Sequence, residues 1–305
     1  LAVAYSGGAD STALLLAARA DWPGPVVALH VNHGLQRAAA DFEAFCQARC
    51  DALQIPLFVA RPKAGASRGE SPEDAARRAR YRALAELAVR AGAGHVALAQ
   101  HADDQAETLI LALSRGAGMP GLAAMPAHFE RHGMCFHRPV LNLGAAAIRD
   151  WLQAQGESFV DDPSNAEHGF TRNRIRHVVM PPLQAAFPGI HNTLARTARH
   201  AASAARLLRV LAEQDLQRVG VPPAIHVLRA LDVDRIANVL RHWLGAYCGT
   251  TSSTAQIEEL VRQVQACSTR GHRIALRVGR GTVVRDAAHL AWRPPVSDPP
   301  DLSGR

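Results

Sequence analysis

Short apolar runs alternate with segments of helical periodicity along the first hundred residues of the chain. Each run ends in glycine or polar residues, and apolar positions spaced three and four apart follow it, which is typical of strands that alternate with helices. The predicted strands cover residues 1–5, 26–31, 56–60 and 95–100. This alternation predicts an α/β fold in which a parallel sheet is covered on both faces and ligands bind at the carboxyl ends of its strands.

Helical periodicity covers residues 12–20, 41–53 and 71–91, and a further helix follows the fourth strand to about residue 114. The helix at 71–91 has a strong start signal, because Ser71 suits the N-cap position and Pro72 the first helical position. Each predicted helix is therefore long enough to cover part of one face of the sheet.

The second half of the chain has a different pattern. An alanine-rich helical segment reaches residue 219, and the prolines at 222 and 223 mark a boundary after it. Further helices are predicted at 228–247 and 254–266, followed by short alternating strands at 274–278, 282–285 and 289–292. The chain is thus predicted to contain an α/β domain (1–187), a helical linker (188–220), a small α+β domain (221–293) and a disordered tail (294–305).

Composition places this chain of 305 residues among ordinary globular proteins, with 48% apolar and 20% charged residues. No apolar run approaches the roughly 18 residues of a membrane span, so we expect no contact with a bilayer. The five cysteines are odd in number and form no C-x-x-C pair, which favours reduced thiols and a cytoplasmic location. Because Leu1 already lies in a predicted strand and no initiator methionine precedes it, we expect a few native residues upstream.

Positive charge is concentrated in the second half of the chain. The formal net charge is −2 for residues 1–164, +5 for 165–218 and +4 for 219–305. A polyanion larger than a nucleotide is the natural partner for such a surface, because each neutralised backbone phosphate releases counterions. The long helix carries four arginines in two pairs spaced by three, which form either a solvated face or a surface for RNA: Arg196, Arg199, Arg206 and Arg209.

A glycine turn follows the first predicted strand. Ser6-Gly7-Gly8 ends the apolar run, and Asp10 and Ser11 open the next helical segment. Two consecutive glycines let the backbone approach a bulky anion, and the first amides of a helix favour a phosphate. No Lys-Ser/Thr pair follows, so the turn is not a Walker A loop. The alternative is a turn that binds no ligand and is capped by Asp10 or Ser11.

Acidic residues follow the fourth predicted strand. Asp103, Asp104 and Glu107 fall at the start of a helix, and spacings of three and four put Glu107 on one face with both aspartates. Carboxylate oxygens in this arrangement suit Mg²⁺, which binds one or two carboxylates together with substrate phosphates. The alternative is that these acids interact only with the helix dipole.

Both segments resemble motifs of one family of enzymes. SGGADS at 6–11 resembles the SGGxDS motif of the PP-loop ATP pyrophosphatases, and HADDQAET at 101–108 resembles the H-x-x-DDQ-x-ET signature of the tRNA(Ile)-lysidine synthetases. Further stretches resemble the same family in the same order: HVNHGLQR (30–37), ARRARY (76–81), RGAGMPGL (115–122), RPVL with the next helix (138–152), FVDDPSN (159–165) and TRNRIRH with PPL (171–183). Gln36 before Arg37 departs from the family's pattern. Residues 221–293 resemble the family's first C-terminal domain.

The resemblance implies a Rossmann-like PP-loop domain that uses ATP and Mg²⁺. The ATP-binding residues that it implies are Ser6, Gly7, Gly8, Ala9, Asp10, Ser11 and His33. The magnesium ligands that it implies are Asp10, Asp103, Asp104 and Glu107. The catalytic residues that it implies are Asp10, Asp104, Arg174 and His177. For contacts with tRNA or phosphates it implies Arg77, Arg172, Arg174 and Arg176.

The activity implied by the resemblance is ligation of free L-lysine to carbon 2 of the wobble cytidine in the CAU anticodon of tRNA(Ile). The cytidine is adenylated first, and the product, lysidine, changes codon specificity from AUG to AUA. A tRNA sulfur transferase of the same fold is the alternative within the enzyme class, although that chemistry needs a sulfur-carrying cysteine or a cluster. Amide-forming synthetases and a tRNA adaptor that binds ATP without turnover are further alternatives. A homodimer is also left open.

Overall fold

The structure, a computed structural model, describes residues 1–32, 39–62, 72–160, 171–269 and 271–295. The chain divides into two units, Leu1–Ala202 and Ser203–Arg305. The division falls within the long helix that the sequence predicts as a linker, and the separate linker at 188–220 stays a prediction. The predicted disordered tail lies largely outside the described residues.

The first unit contains a mixed sheet and the helices around it. Its strands are β1 (Ala2–Ala4), β2 (Val27–Val31), β3 (Leu57–Ala60), β4 (His95–Ala97), β5 (His128–Arg131) and β6 (Met134–His137). Its helices are α1 (Ala9–Asp21), α2 (Ala39–Leu53), α3 (Pro72–Arg90), α4 (Ala102–Leu113), α5 (Met119–Leu122), α6 (Ala145–Ala154), α7 (Thr171–Arg174), α8 (Met180–Ala186) and the start of α9 (Ile190–Val219). The predicted strand at 95–100 is thus shorter than expected and ends at Ala97.

The strand order within the described residues is β3-β2-β1-β4-β6-β5, so the chain winds outward from β1 in both directions. All neighbouring pairs are parallel except β5 and β6, which form an antiparallel hairpin at the edge. The sheet is therefore mostly parallel, as predicted, with an antiparallel edge strand that was not predicted. Because β1 and β4 are parallel neighbours at the point where the order reverses, the loops after these two strands meet at the topological switch point.

Side chains of successive strand residues pack on opposite faces of the sheet. Ala2 contributes to the apolar core under α3, together with Leu84 and Leu87. The next residue, Val3, contributes to the core under α1 and α2, together with Cys46. Both faces of β1 are therefore buried, which explains why this strand reads as a continuous apolar run.

A buried arginine fixes the chain just before α4. Arg138 is 4% exposed; its Nε donates to Oε1 of Gln100 at 2.9 Å, and Nη2 donates to the hydroxyl of Tyr81 at 3.3 Å. Its guanidinium also lies 4.5 Å from the ring centroid of Phe129. Burial lowers the pKa of Arg138. The RPVL segment thus holds the residue that precedes the acidic motif.

The second unit has a separate apolar core between helices and a three-stranded sheet. Its elements after α9 are α10 (Ile225–Leu228), α11 (Val233–Ala246), α12 (Thr254–Ala266), β7 (Ala275–Val278), β8 (Gly281–Asp286) and β9 (His289–Arg293). The three short strands are present, as their alternation predicts, and the described strands are antiparallel in the order β7-β8-β9. The helix predicted at 228–247 is interrupted, because Asp232 has an extended backbone and a new helix begins after it. Among the described helices, none has the length and apolar character needed to cross a bilayer.

Candidate active site

The glycine turn connects β1 to α1. Gly7 has φ of 87°, a left-handed conformation that favours glycine, and its carbonyl accepts the backbone N–H of Val160 at 2.9 Å. Gly8 is the N-cap residue, and no side chain caps the helix within the described part of the chain. The first amides of α1 are therefore available to an anion, as the sequence predicts for a phosphate.

Two hydroxyl groups of α1 form hydrogen bonds with the backbone of this turn. Oγ of Ser11 accepts the backbone N–H of Ser6 at 3.2 Å and donates to the carbonyl of Gly8 at 3.0 Å. Oγ1 of Thr12 donates to the same carbonyl at 3.0 Å. The helix begins at Ala9, earlier than predicted, so Ser11 braces the turn from within the first helical turn and does not cap the helix.

We expect alanine at the two glycines to have different effects on stability. A methyl group at Gly7 would lie 3.1 Å from Sγ of Cys46, in a backbone conformation that costs a non-glycine residue roughly 1–2 kcal/mol. At Gly8 the nearest atom would be Oγ of Ser6 at 3.6 Å, an ordinary contact. Gly7→Ala should therefore lower the free energy of unfolding by about 2 kcal/mol, and Gly8→Ala by less than about 1 kcal/mol. Urea unfolding measures both, and equal losses would contradict the constraint at Gly7.

His101 links the glycine turn to the acidic segment. This residue is the N-cap of α4, where Oδ2 of Asp104 accepts its backbone N–H at 3.1 Å. Its Nε2 lies 3.4 Å from Oδ2 of Asp10 and 3.6 Å from Oδ2 of Asp104. The carboxylates that follow β1 and β4 thus face each other across a single imidazole, which the sequence motifs alone did not assign.

The aspartates around His101 favour the positively charged form of its imidazole. Burial alone lowers the pKa of its imidazole, but the hydrogen bonds with Asp10 and Asp103 and the charge of Asp104 outweigh burial and raise that pKa to about 10. A cationic imidazole at this position compensates part of the negative charge that three aspartates bring to one place.

Glu107 lies deeper in α4 and is bound by two arginines. Its side chain is 3% exposed. Nε of Arg172 donates to Oε2 at 3.0 Å, and Nε of Arg176 donates to Oε1 at 2.6 Å. Both guanidinium groups also reach Oδ1 of Asp104, at 3.1 and 3.4 Å. Glu107 and Asp104 therefore anchor the RNRIRH segment on α4.

The second half of RNRIRH is not α-helical but forms a π-helical turn, just before two prolines. Residues Ile175–Val179 form a π-helical turn, in which the N–H of Met180 donates to the carbonyl of Ile175. Pro181 and Pro182 provide no N–H donors, so the normal helical hydrogen bonds cannot form before them. Arg172 and Arg176 are four residues apart, and both reach Glu107 on α4.

Asp103 connects α4 to two other parts of the unit. Its Oδ1 accepts the backbone N–H of Ala145 at 3.1 Å, and its Oδ2 lies 3.5 Å from Nδ1 of His191. Burial raises the pKa of Asp103, but these contacts and His101 outweigh burial and lower it. Sequence reasoning missed His191; its position just after the Pro-Gly pair that starts α9 was the available signal.

Three of the remaining predicted site residues are exposed, and the fourth is not among the residues that the structure describes. Arg174 and His177 are exposed, and their predicted catalytic roles stay predictions. Arg77 is exposed, with its guanidinium 5.8 Å from the ring centroid of Tyr81, and its predicted contact with tRNA also stays a prediction. His33 lies outside the described residues.

No group of three or more His, Cys, Asp or Glu side chains among the described residues has a geometry that holds a metal ion. Glu107, one of the four predicted magnesium ligands, has both carboxylate oxygens engaged by arginines. Asp10 is different, because its side chain is 37% exposed beside the amides of α1. A cation could thus reach Asp10 directly, whereas both carboxylate oxygens of Asp104 accept hydrogen bonds, Oδ1 from Arg172 and Arg176 and Oδ2 from the N–H of His101.

Two family models match the chain. A PP-loop domain model matches residues 1–183, and a TilS substrate binding domain model matches residues 224–290. A tRNA(Ile)-lysidine synthase of Polaromonas naphthalenivorans is 56% identical over 96% of this chain and 89% of the relative. The chain belongs to the tRNA(Ile)-lysidine synthase family. Members of this family are ligases that modify tRNA.

Other members of the tRNA(Ile)-lysidine synthase family differ in length. The Burkholderia mallei member is 42% identical over 96% of this chain, and the chain spans 59% of that relative. Among solved structures, a U34-tRNA thiolase from Methanococcus maripaludis is similar, with a TM-score of 0.56 and 14% identity over 65% of this chain and 70% of that chain. At this identity the likeness supports the fold alone.

Proposed function

We propose that the chain ligates L-lysine to carbon 2 of the wobble cytidine in the CAU anticodon of tRNA(Ile), with ATP as the energy source. Family membership supports lysidine formation on tRNA. The observation that carries the proposal is the pair of contacts from His101 to Asp10 and Asp104, because they join the glycine turn and the acidic motif into one site. One nucleotide can therefore contact both.

The triphosphate of ATP would bind at the start of α1. Gly8 presents an uncapped helix N-terminus, and the helix dipole there favours negative charge. Ser6 lies at the entrance of the turn with an exposed side chain that can donate to a phosphate oxygen. The main work of this site is positioning and charge stabilisation, which dominate phosphoryl and nucleotidyl transfer.

The carboxylates at the site fit a magnesium ion. Asp10 is partly exposed, its oxygens are hard ligands, and Asp104 lies on the other side of the same imidazole. When bound, Mg²⁺ would neutralise phosphate charge as pyrophosphate leaves. Asp10 would hold it together with the phosphates of ATP, with Asp104 beside it bound to Arg172 and Arg176, while Asp103 keeps Ala145 and α9 in place.

The reaction has two steps on the cytidine. The carbon-2 oxygen attacks the α-phosphorus of ATP, and the bond to pyrophosphate breaks. The ε-amine of lysine then attacks carbon 2, the carbon–oxygen bond breaks, AMP leaves with that oxygen, and the amine loses a proton. Arg172 and Arg176 lie at the edge of the site, half-buried, where they orient the carboxylates of α4. The wobble base must leave its stack to reach this site.

The tRNA would be held through its backbone phosphates. The excess of positive charge lies after residue 165, which includes the second unit. The match of residues 224–290 to a substrate binding domain supports this role. A cytoplasmic location and a homodimer stay predictions.

The cysteine that packs against the glycine turn does not suit the sulfur-transferase alternative. Cys46 packs beneath Gly7, but its side chain is fully buried, and burial raises its pKa to about 12. A thiol in this state is a poor nucleophile. Its position under the turn suits a packing role.

The decisive experiment combines the protein with ATP, Mg²⁺, labelled lysine and a tRNA(Ile) transcript with a CAU anticodon. We expect tRNA-dependent release of pyrophosphate and incorporation of lysine into RNA at a one-to-one ratio. A tRNA(Met) transcript with the same anticodon is the control, and we expect it to react far more slowly. Pyrophosphate release without lysine incorporation would contradict the proposal, and sulfur incorporation from an added donor would favour the alternative.

A further inference from the structure

A cleft of ≈ 450 Å³ opens in the first unit beside the start of α9. We call it the α9 cleft, and its lining residues are Asn142, Asn192, Ala195, Arg196 and Arg199. Two amides and two guanidinium groups form its polar wall, and no carboxylate is among the lining residues that the structure describes. The wall therefore offers N–H donors and positive charge, which suit an oxyanion.

The spacing on α9 explains why these groups share one wall. Asn192, Arg196 and Arg199 are four and three residues apart, so they lie along one exposed stripe of the helix, while Ala195 and Ala198 are buried.

The groups of this wall are also held in place as donors. Nη1 of Arg199 donates to Oδ1 of Asn142 at 2.9 Å, which leaves the NH₂ group of that amide as a donor. Within the described part of the chain, neither Arg196 nor Arg199 has a carboxylate partner. Their charge is therefore available to a ligand.

The α9 cleft is built on the two segments that also contact Asp103. Asn142 lies three residues before Ala145, whose N–H binds Asp103, and His191, the residue before Asn192, lies 3.5 Å from the same aspartate. The same two segments therefore form the cleft and hold Asp103.

Resting on the proposed function, we propose that the α9 cleft binds a backbone phosphate of the RNA substrate close to the reacting nucleotide. Its polar side chains are exposed, which suits one phosphate of a polymer that continues past the cleft. Free lysine carries two ammonium groups at neutral pH, and the lining offers no carboxylate to pair with them. A phosphate held here fixes the register of the RNA but reads no base.

The test compares an Arg196→Ala, Arg199→Ala double variant with the full-length wild type in binding fluorescently labelled tRNA(Ile) at several salt concentrations. We expect affinity about tenfold weaker and a slope of log affinity against log salt that is shallower by about 0.7 for each single-stranded phosphate that the variant no longer neutralises. The affinity for ATP should not change. Arg90→Ala is the matched control, because this exposed arginine ends α3 and is not among the residues that line the cleft, and it should bind tRNA as the wild type does.

Arg196→Lys separates charge from packing, and we expect it to keep the wild-type salt dependence. A double variant that matches the wild type in affinity and salt slope would overturn the inference, while the wild-type activity would still stand. A raised KM for lysine with unchanged tRNA binding would assign the cleft to the amino-acid carboxylate and also overturn it. A wild-type protein that fails to bind tRNA would instead contradict the proposed function.

Discussion

Asp10→Ala is expected to reduce tRNA-dependent pyrophosphate release by about 10²–10³-fold, the range that loss of one electrostatic stabiliser produces. Asp10 lies in the first turn of α1, and His101 is its contact across the site, at 3.4 Å. Because its side chain is 37% exposed, its removal should cost less than about 1 kcal/mol of folding stability, mainly through the helix dipole. The effect should therefore appear in catalysis and not in the unfolding curve.

Asp21→Ala is the matched control for Asp10→Ala, because Asp21 is an exposed aspartate at the other end of the same helix. Initial rates of pyrophosphate release, with and without tRNA, should show wild-type values for Asp21→Ala and near-background values for Asp10→Ala. Turnover at the wild-type rate in Asp10→Ala would contradict a role for this carboxylate in the active site.

The meeting of the glycine turn and the acidic segment could be predicted from sequence, because it depends on topology. Strands that alternate with helices form a parallel sheet, and the two segments each follow a strand. The structure places β1 beside β4 at the reversal of strand order, which brings Asp10 and Asp104 to the same edge. Local patterns predict each strand and the turn, and the rule that ligands bind at the carboxyl ends of parallel strands predicts a shared edge, whereas the adjacency of β1 and β4 itself comes from the structure.

Contacts between distant segments were not accessible in the same way. Glu107 pairs with Arg172 and Arg176, which lie 65 and 69 residues further along the chain, and nothing in the local pattern of either segment selects the other. The local pattern therefore predicts a magnesium ligand at Glu107, the structure shows its arginine partners, and metal binding there stays a prediction. His101 is the first residue of the acidic motif, but its contact with Asp10 depends on the pairing of β1 with β4.

The antiparallel hairpin was missed for a local reason. β5 and β6 are joined by His132 and Gly133, both with positive φ, at 53° and 70°. This is the geometry of a two-residue hairpin turn, for which Asn-Gly or Asp-Gly is the common sequence. The sequence here is His-Gly, and of the two strands it joins only β6 is apolar in its first three residues, so neither the turn nor β5 matches the common pattern.

Glu107→Gln is expected to lower the free energy of unfolding of the protein by about 3 kcal/mol. The substitution keeps the shape of a side chain that is 3% exposed but removes the charge that compensates Arg172 and Arg176. Removing one partner of a buried ion pair leaves the other charge uncompensated, which typically costs about 3–5 kcal/mol, and the partial exposure of both arginines places the expected loss at the lower end. Urea unfolding measures the loss, and Glu86→Gln, at an exposed position of α3, should have almost no effect.

A double-mutant cycle shows whether the loss comes from the ion pair or from repacking. If Glu107 acts through Arg176, the variant that combines Glu107→Gln with Arg176→Gln should be more stable than the sum of the two single losses predicts, by about 1 kcal/mol or more. Strict additivity would mean that the two side chains do not couple. Because this pair anchors the π-helical turn on α4, the same variants should also make the segment Ile175–Val179 more accessible to amide hydrogen exchange, while exchange in β1 stays slow.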